Sequence, residues 1–138
     1  MAITQALCTS YKAEALSGVH SSLDNYKIAL FTSTASLDAS TTVYSATNEV
    51  SGTGYTAGGA SLTGFSVTTS GTTAILDFSD VSWASASITA RGALIYNSSK
   101  SNKAVAVLNF TSDKTSTDGT FTITFPTPDA TNGLIRIA

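Results

Sequence analysis

The chain has 138 residues, of which 42% are apolar and only 12% charged, and its formal net charge is −2. This length suits one domain with one core, and so apolar a composition excludes a chain that is mainly disordered. Seven scattered lysines and arginines cannot cover a phosphate backbone, so we expect no nucleic-acid partner.

The cysteine content and the hydropathy pattern limit the kinds of site and the cellular compartment that we expect. Cys8 is the single cysteine, which excludes an internal disulfide and a thiol-based metal site. No run of about 18 apolar residues is present, and residues 1–20 lack the basic start and apolar run of a signal peptide. We therefore expect a protein made in the cytoplasm, with no membrane partner and no cofactor or metal.

Hydroxyl side chains supply most of the polarity, since the chain holds 21 serines and 23 threonines. Small neutral side chains lose little rotamer entropy and little hydration when another protein covers them. The composition therefore suits repeated contact with other protein copies. It is equally typical of a β-protein whose strands carry many threonines.

Residues 1–18 have the spacing of an N-terminal α-helix, and Gly18 stands where a left-handed cap would end it. The residues that recur at every fourth position are Ile3, Leu7, Tyr11 and Ala15. The apolar face that they form must be buried, either on the β-domain or on another subunit. Leu7 and Tyr11 are therefore candidate interface residues.

A strand and a long connection follow this helix. Residues 26–31 are apolar on both sides of the strand pattern, which predicts a central strand. Residues 32–64 are rich in Gly, Ser and Thr, and predict an extended loop or arm. Tyr44 and Tyr55 are its aromatic anchors and are candidate interface residues, because tyrosine is enriched at interfaces. Alternatively, these two tyrosines pin the loop to its own domain.

Residues 65–138 alternate in the period of strands and predict an antiparallel β core that includes strand 26–31. Turn signals lie at 70–71, 97–102, 118–119 and 132–133. The expected fold is mainly β: a single domain over residues 1–138, built as an antiparallel β-sandwich or a barrel-like pair of sheets. One N-terminal α-helix and the Gly/Ser/Thr-rich arm complete it.

Catalytic patterns are weak. His20 is the only histidine, and no serine sits in the G-x-S-x-G turn that would make it a nucleophile, so His20 is expected to close the turn after the helix. Asp77 and Asp80 could be paired carboxylates, but acidic residues are scarce elsewhere and an Asx-type turn at Asp80 is the commoner explanation. Calcium could bind at Asp77, Asp80 or the turn 113–118, but the spacing matches no calcium loop. We expect no enzymatic activity.

Four stretches resemble a family of small virion structural proteins of tailed bacteriophages. They are Tyr-Lys-Ile-Ala-Leu-Phe-Thr-Ser from Tyr26, Asn-Glu-Val-Ser-Gly-Thr-Gly-Tyr-Thr-Ala-Gly-Gly from Asn48, Ile-Thr-Ala-Arg-Gly-Ala-Leu-Ile-Tyr-Asn from Ile88, and Gly-Thr-Phe-Thr-Ile-Thr-Phe-Pro from Gly119. The resemblance covers nearly the whole chain. It implies a component of the virion and brings no catalytic residues with it.

The leading functional hypothesis is a capsid decoration (cement) protein that binds the capsid shell, and the alternative is a neck, tail or fibre component. Either role implies a homo-oligomer whose partners are other virion proteins, the major capsid protein or tail and neck proteins. A further alternative is a surface carbohydrate-binding module. Its candidate rings are Trp83, Tyr44 and Tyr55.

Overall fold

The computed structural model describes residues 2–138, which form two antiparallel sheets and one short α-helix. The elements are β1 (Ala6–Leu7), α1 (Thr9–Leu16), β2 (Tyr26–Phe31), β3 (Ala60–Ser61), β4 (Ser66–Ser70), β5 (Thr73–Asp77), β6 (Val81–Asn97), β7 (Lys103–Ile123) and β8 (Ile135–Ile137). The larger sheet has the order β1-β7-β6-β2-β3, and the smaller has the order β4-β5-β8. Among the described residues, both sheets therefore remain open, and the fold is mainly β as predicted.

Strand β2 is central, as its sequence predicts. It pairs with β6 on one side and with β3 on the other, and Ile28, Leu30 and Phe31 are buried. Three aromatic rings connect this strand to the smaller sheet. Tyr26 lies 5.4 Å from Phe65 and 5.5 Å from Phe78, measured between ring centroids, and such offset and tilted pairs contribute beyond the area that they bury.

Strands β6 and β7 are far longer than the sequence predicts, with 17 and 21 residues. The turn expected at 118–119 is wrong, because Asp118 lies inside β7 and the chain does not reverse there. Asp118, Ser85 and Thr111 have positive φ and fall at register shifts between the two strands. A left-handed residue before glycine serves a bulge as well as a hairpin turn, so the Asp-Gly signal was ambiguous.

The predicted helix over 1–18 is wrong in its first half, since α1 begins only at Thr9. Ala6 and Leu7 instead pair with Val107 and Ala106 as strand β1. A spacing of four places residues on one side of a strand as well as on one face of a helix, so Ile3 and Leu7 satisfy both patterns. The edge of β7 offers backbone hydrogen-bond partners to Ala6 and Leu7, and this pairing favours a strand over a helix there. The predicted cap is confirmed: Gly18 has φ +75° and donates to the Ala15 carbonyl.

The segment that follows β2 is a strap bound to its own domain, where the sequence left open an extended arm. We use the name strap for residues 32–59. Its backbone bonds to β2, through the Val50 amide and the Leu30 carbonyl, and to β6, through the Ser87 amide and the Thr53 carbonyl. The strap therefore occupies positions along β2 and β6 where a regular strand could otherwise pair.

The close packing of β7 and Ile3 around Gly92 in β6 can be tested by substitution. A Cβ atom there would lie 2.6 Å from the Leu108 carbonyl oxygen and 2.9 Å from carbon atoms of the Ile3 side chain. We expect Gly92→Ala to lower the free energy of unfolding by about 1–3 kcal/mol in urea denaturation, as overpacking does. Gly119→Ala is the matched control, because its nearest neighbour atom is 3.6 Å away. Equal losses for both variants would contradict this close packing.

Candidate interaction surfaces

Tyr44 and Tyr55 meet at one carboxylate inside the strap. Their hydroxyls donate to Oε1 and Oε2 of Glu49, each at 2.5 Å, and the Gly58 amide donates to Oε2 at 2.8 Å. A carboxylate that accepts several hydrogen bonds in a partly buried site fixes the backbone on both sides of it. The three donors come from positions 44, 55 and 58, so Glu49 closes the strap on itself.

The same tyrosines attach the strap to the sheet. The Tyr55 hydroxyl also accepts from the Leu30 amide of β2 at 2.9 Å, and the Tyr44 ring stacks on Tyr96 of β6 at a centroid distance of 4.5 Å. Burial, and next the hydrogen bond to Glu49, raise the pKa of both tyrosine hydroxyls. Both hydroxyls therefore remain protonated donors at any physiological pH.

These contacts favour the alternative that the sequence left open, in which Tyr44 and Tyr55 pin the loop to its own domain. Both side chains are half-buried, and the contacts described involve residues of the same chain. Sequence reasoning missed Glu49. Glu49 is the single carboxylate between Tyr44 and Tyr55 in the sequence, but its spacing from them does not indicate that both tyrosines contact it.

Removal of the Glu49 carboxylate tests the role of the strap. Glu49→Ala leaves two hydroxyls and one amide without their acceptor, so we expect a loss of about 2–4 kcal/mol in the free energy of unfolding. Limited proteolysis should then cut within 32–59. Thr47→Ala, at an exposed position in the same segment, should change neither readout. A stable and protease-resistant Glu49→Ala would show that the carboxylate does not hold the strap.

A second polar cluster anchors the end of α1. Asn97 is fully buried at the end of β6, its Oδ1 accepts from the Ser99 amide, and its Nδ2 donates to Asp24 at 2.8 Å and to His20 Nδ1 at 3.0 Å. A flipped amide would put two oxygens together at Asp24, which fixes the amide orientation. His20 Nδ1 is therefore an acceptor, and Nε2 donates to Glu14 at 3.0 Å. His20 closes the turn after the helix, as expected, through these side-chain contacts.

Asp24 is the most strongly shifted acid in this cluster. The hydrogen bond from Asn97 and, more weakly, the contacts with Lys100 and the Ser21 amide lower the pKa of its carboxyl to about 2, against an opposing effect of burial. Lys100 Nζ lies 2.9 Å from Asp24 Oδ1. The carboxylate thus joins the turn after α1 to the turn between β6 and β7.

The pKa of Asp24 predicts a pH dependence. Since the folded pKa lies below the ordinary value of 3.8, Asp24 stabilises the fold fully above about pH 4, and this contribution is lost as the pH falls towards 2. In Asp24→Asn, the free energy of unfolding should therefore depend less steeply on pH between about 4 and 2 than in the unaltered chain. Lys100→Gln should reduce the slope less, because Asn97 provides the larger effect. An unchanged slope in Asp24→Asn would exclude this contribution.

Leu7 and Tyr11 lie at a different place, beside an open furrow. The furrow is the gap between β8, at the end of the smaller sheet, and β1 and α1 on the larger sheet. One hollow of about 310 Å³ is lined by Leu7, Tyr11, Lys12, Ala15, Leu16, Arg136 and Ile137. A second of about 430 Å³ is lined by residues 5–7, 106–108 and the chain around 134–136. Leu7 and Arg136 border both hollows, so the two are adjacent.

The furrow exposes apolar side chains between two cations. Leu16 is 89% exposed and Ile137 is 56% exposed, whereas Tyr11 forms part of the buried floor. Lys12 and Arg136 stand at the rim, and within residues 2–138 neither lies within 4 Å of a carboxylate oxygen. Large apolar side chains that remain exposed together are typical of a surface that contacts another protein.

The rings suggested for carbohydrate binding do not form an exposed platform. Trp83 is buried, with its centroid 5.9 Å from that of Tyr55 and 6.1 Å from that of Phe121. Tyr44 stacks inward on Tyr96. Trp83 and one face of the Tyr44 ring are therefore covered by other rings of the same domain.

The two carboxylates considered for chemistry have different surroundings. Asp77 Oδ1 is buried and has no hydrogen-bond partner within residues 2–138. Asp80 accepts from the Phe125 amide at 2.9 Å. Burial raises the pKa of the Cys8 thiol to about 11, so the nucleophilic thiolate is scarce at neutral pH. In the described part of the chain, no group of three His, Cys, Asp or Glu side chains is placed to hold a metal ion. The one α-helix there is too short to cross a membrane.

Comparison of the chain with protein-family models, with curated proteins and with solved structures finds no match.

Proposed function

We propose that this chain is a non-enzymatic structural subunit of a tailed-bacteriophage virion, and that it binds the capsid shell as a decoration protein. The observation that supports this most is the furrow, because it exposes Leu16 and Ile137 on a domain otherwise rich in hydroxyl side chains. A subunit of this kind must remain folded alone and then bind a repeated lattice through modest patches. The four stretches that resemble virion proteins agree with this role.

The internal strap supports the same proposal. A decoration subunit benefits from a rigid body, since rigid surfaces lose less conformational entropy on binding. The Glu49 cluster ties the longest irregular segment to β2 and β6, and the Asp24 cluster ties α1 to the turn after β6. In this proposal, the two sheets form a sandwich that remains open at the furrow and assembles as a symmetric homo-oligomer.

The number of copies in purified particles tests the location. Quantitative mass spectrometry of the phage that encodes the chain should find on the order of hundreds of copies per particle if it decorates the shell. About 3 to 12 copies would assign it to the neck, tail or fibre instead. Absence from particles would contradict a structural role altogether.

A further inference from the structure

The furrow has a shape that suits an extended strand. Among residues 2–138, strand β8 ends the smaller sheet and pairs only with β5, and β1 ends the larger sheet, so the furrow lies between two terminal strands. A terminal strand presents backbone N–H and C=O groups that another chain can pair with. The two hollows beside β8 show that this space is not filled by residues 2–138.

The two hollows also set a spacing. Alternate side chains of a strand point to the same side and stand about 7 Å apart. A strand laid beside β8 would therefore place one apolar side chain in each hollow if these were two residues apart. The hollows share Leu7 and Arg136 as lining residues and are therefore neighbours, and one intervening residue is the shortest spacing that keeps two side chains on the same side of a strand.

The charges at the rim of the furrow indicate which charged residues a bound segment would carry. Neither Lys12 nor Arg136 forms a salt bridge within 4 Å in residues 2–138, although Arg136 Nη1 donates to the Ala130 carbonyl at 3.1 Å. Hydrogen bonds from Asn132 and, more weakly, the charge of Arg136 lower the pKa of Asp129. A second copy that docked face to face would bring these cations against their own equivalents. Charge complementarity therefore favours a segment that carries carboxylates, from a different surface than the furrow itself.

We propose that the furrow receives an extended segment of another protein, with two apolar residues separated by one position and flanked by acidic residues. The segment adds a strand to β8, its apolar side chains enter the two hollows, and its carboxylates meet Lys12 and Arg136. This inference rests on the proposed function only for the source of the segment, which would be another virion protein. The furrow and its charges stand independently of that source.

Two synthetic peptides test the proposal by NMR titration of the ¹⁵N-labelled full chain. The acidic probe is acetyl-Glu-Val-Thr-Val-Glu-amide, and its matched control is acetyl-Lys-Val-Thr-Val-Lys-amide. We expect saturable shifts of the amides of Leu7, Leu16 and Ile137 with the acidic peptide, and binding at least about fivefold weaker with the basic one. Higher salt should weaken the acidic peptide's binding, since the rim charges are exposed.

Substitutions inside and outside the furrow test whether the peptide binds in the furrow or elsewhere on the surface. Lys12→Gln should weaken binding of the acidic peptide at least about threefold, whereas Lys114→Gln, another lysine without an ion-pair partner in residues 2–138, should not. Leu16→Ser should weaken binding, and Leu23→Ser, which is equally exposed outside the furrow, should not.

Equal affinity for the two peptides, shifts that map outside the furrow, or no saturable shift would overturn the proposal. So would sedimentation of the chain as a dimer that Leu16→Ser dissociates, because the occupant would then be a second copy. The titration uses the isolated chain and the copy number uses particles, so the two proposals can fail separately.

Discussion

Strand β6 pairs with β7 along nearly its whole length and with β2 over its last residues, Gly92 to Asn97, and this ladder positions the other features. It places Asn97 at the end of β6, where the amide joins His20 to Asp24. It also places the edge of β7 beside the first residues of the chain, which pair there as β1. Without this register, neither α1 nor the strap would have a surface to rest on.

Short segments cover the backbone edges of the ladder unequally. On the β2 side, β3 and the strap supply hydrogen bonds, including the Tyr55 hydroxyl that accepts from the Leu30 amide. On the other side, β1 pairs with two residues of β7, the Cys8 amide donates to the Val105 carbonyl, and the Ala104 amide donates to the Thr42 carbonyl of the strap. The strap thus contacts both sides of the ladder, and the furrow remains open between β1 and β8, which ends the smaller sheet. Bulges along β7 twist the rest of its edge, a common means of discouraging nonspecific strand pairing.

The sequence predicted the features that depend on local patterns. The central strand 26–31, the hairpin at Ser70-Gly71 and the cap at Gly18 were predicted correctly, because alternation and glycine conformations are local properties. It failed where a pattern fits two structures. Ile3 and Leu7 suit a helix or a strand, and Asp118 before Gly119 suits a turn or a bulge. Only contacts with β7 and β6 decide these cases.

The candidate site was predictable in part. The apolar spacing of Leu7 and Tyr11 predicts a contact surface, and both residues border the furrow. Leu16, Ile137 and the two rim cations come together because the pairing of β8 with β5 places β8 beside α1. Tyr44 and Tyr55 were selected because tyrosine is common at interfaces. Their hydroxyls instead share Glu49, a contact that depends on the path of the strap and that no sequence spacing indicates.

The central claim is that the furrow is the contact surface and that the strap is internal. Hydrogen–deuterium exchange of the chain, free and in the assembled particle, tests it most directly. The account predicts that assembly slows exchange at residues 7–16 and 135–137 and leaves residues 32–59 unchanged. Slower exchange confined to residues 32–59, with no change along α1 and β8, would contradict it.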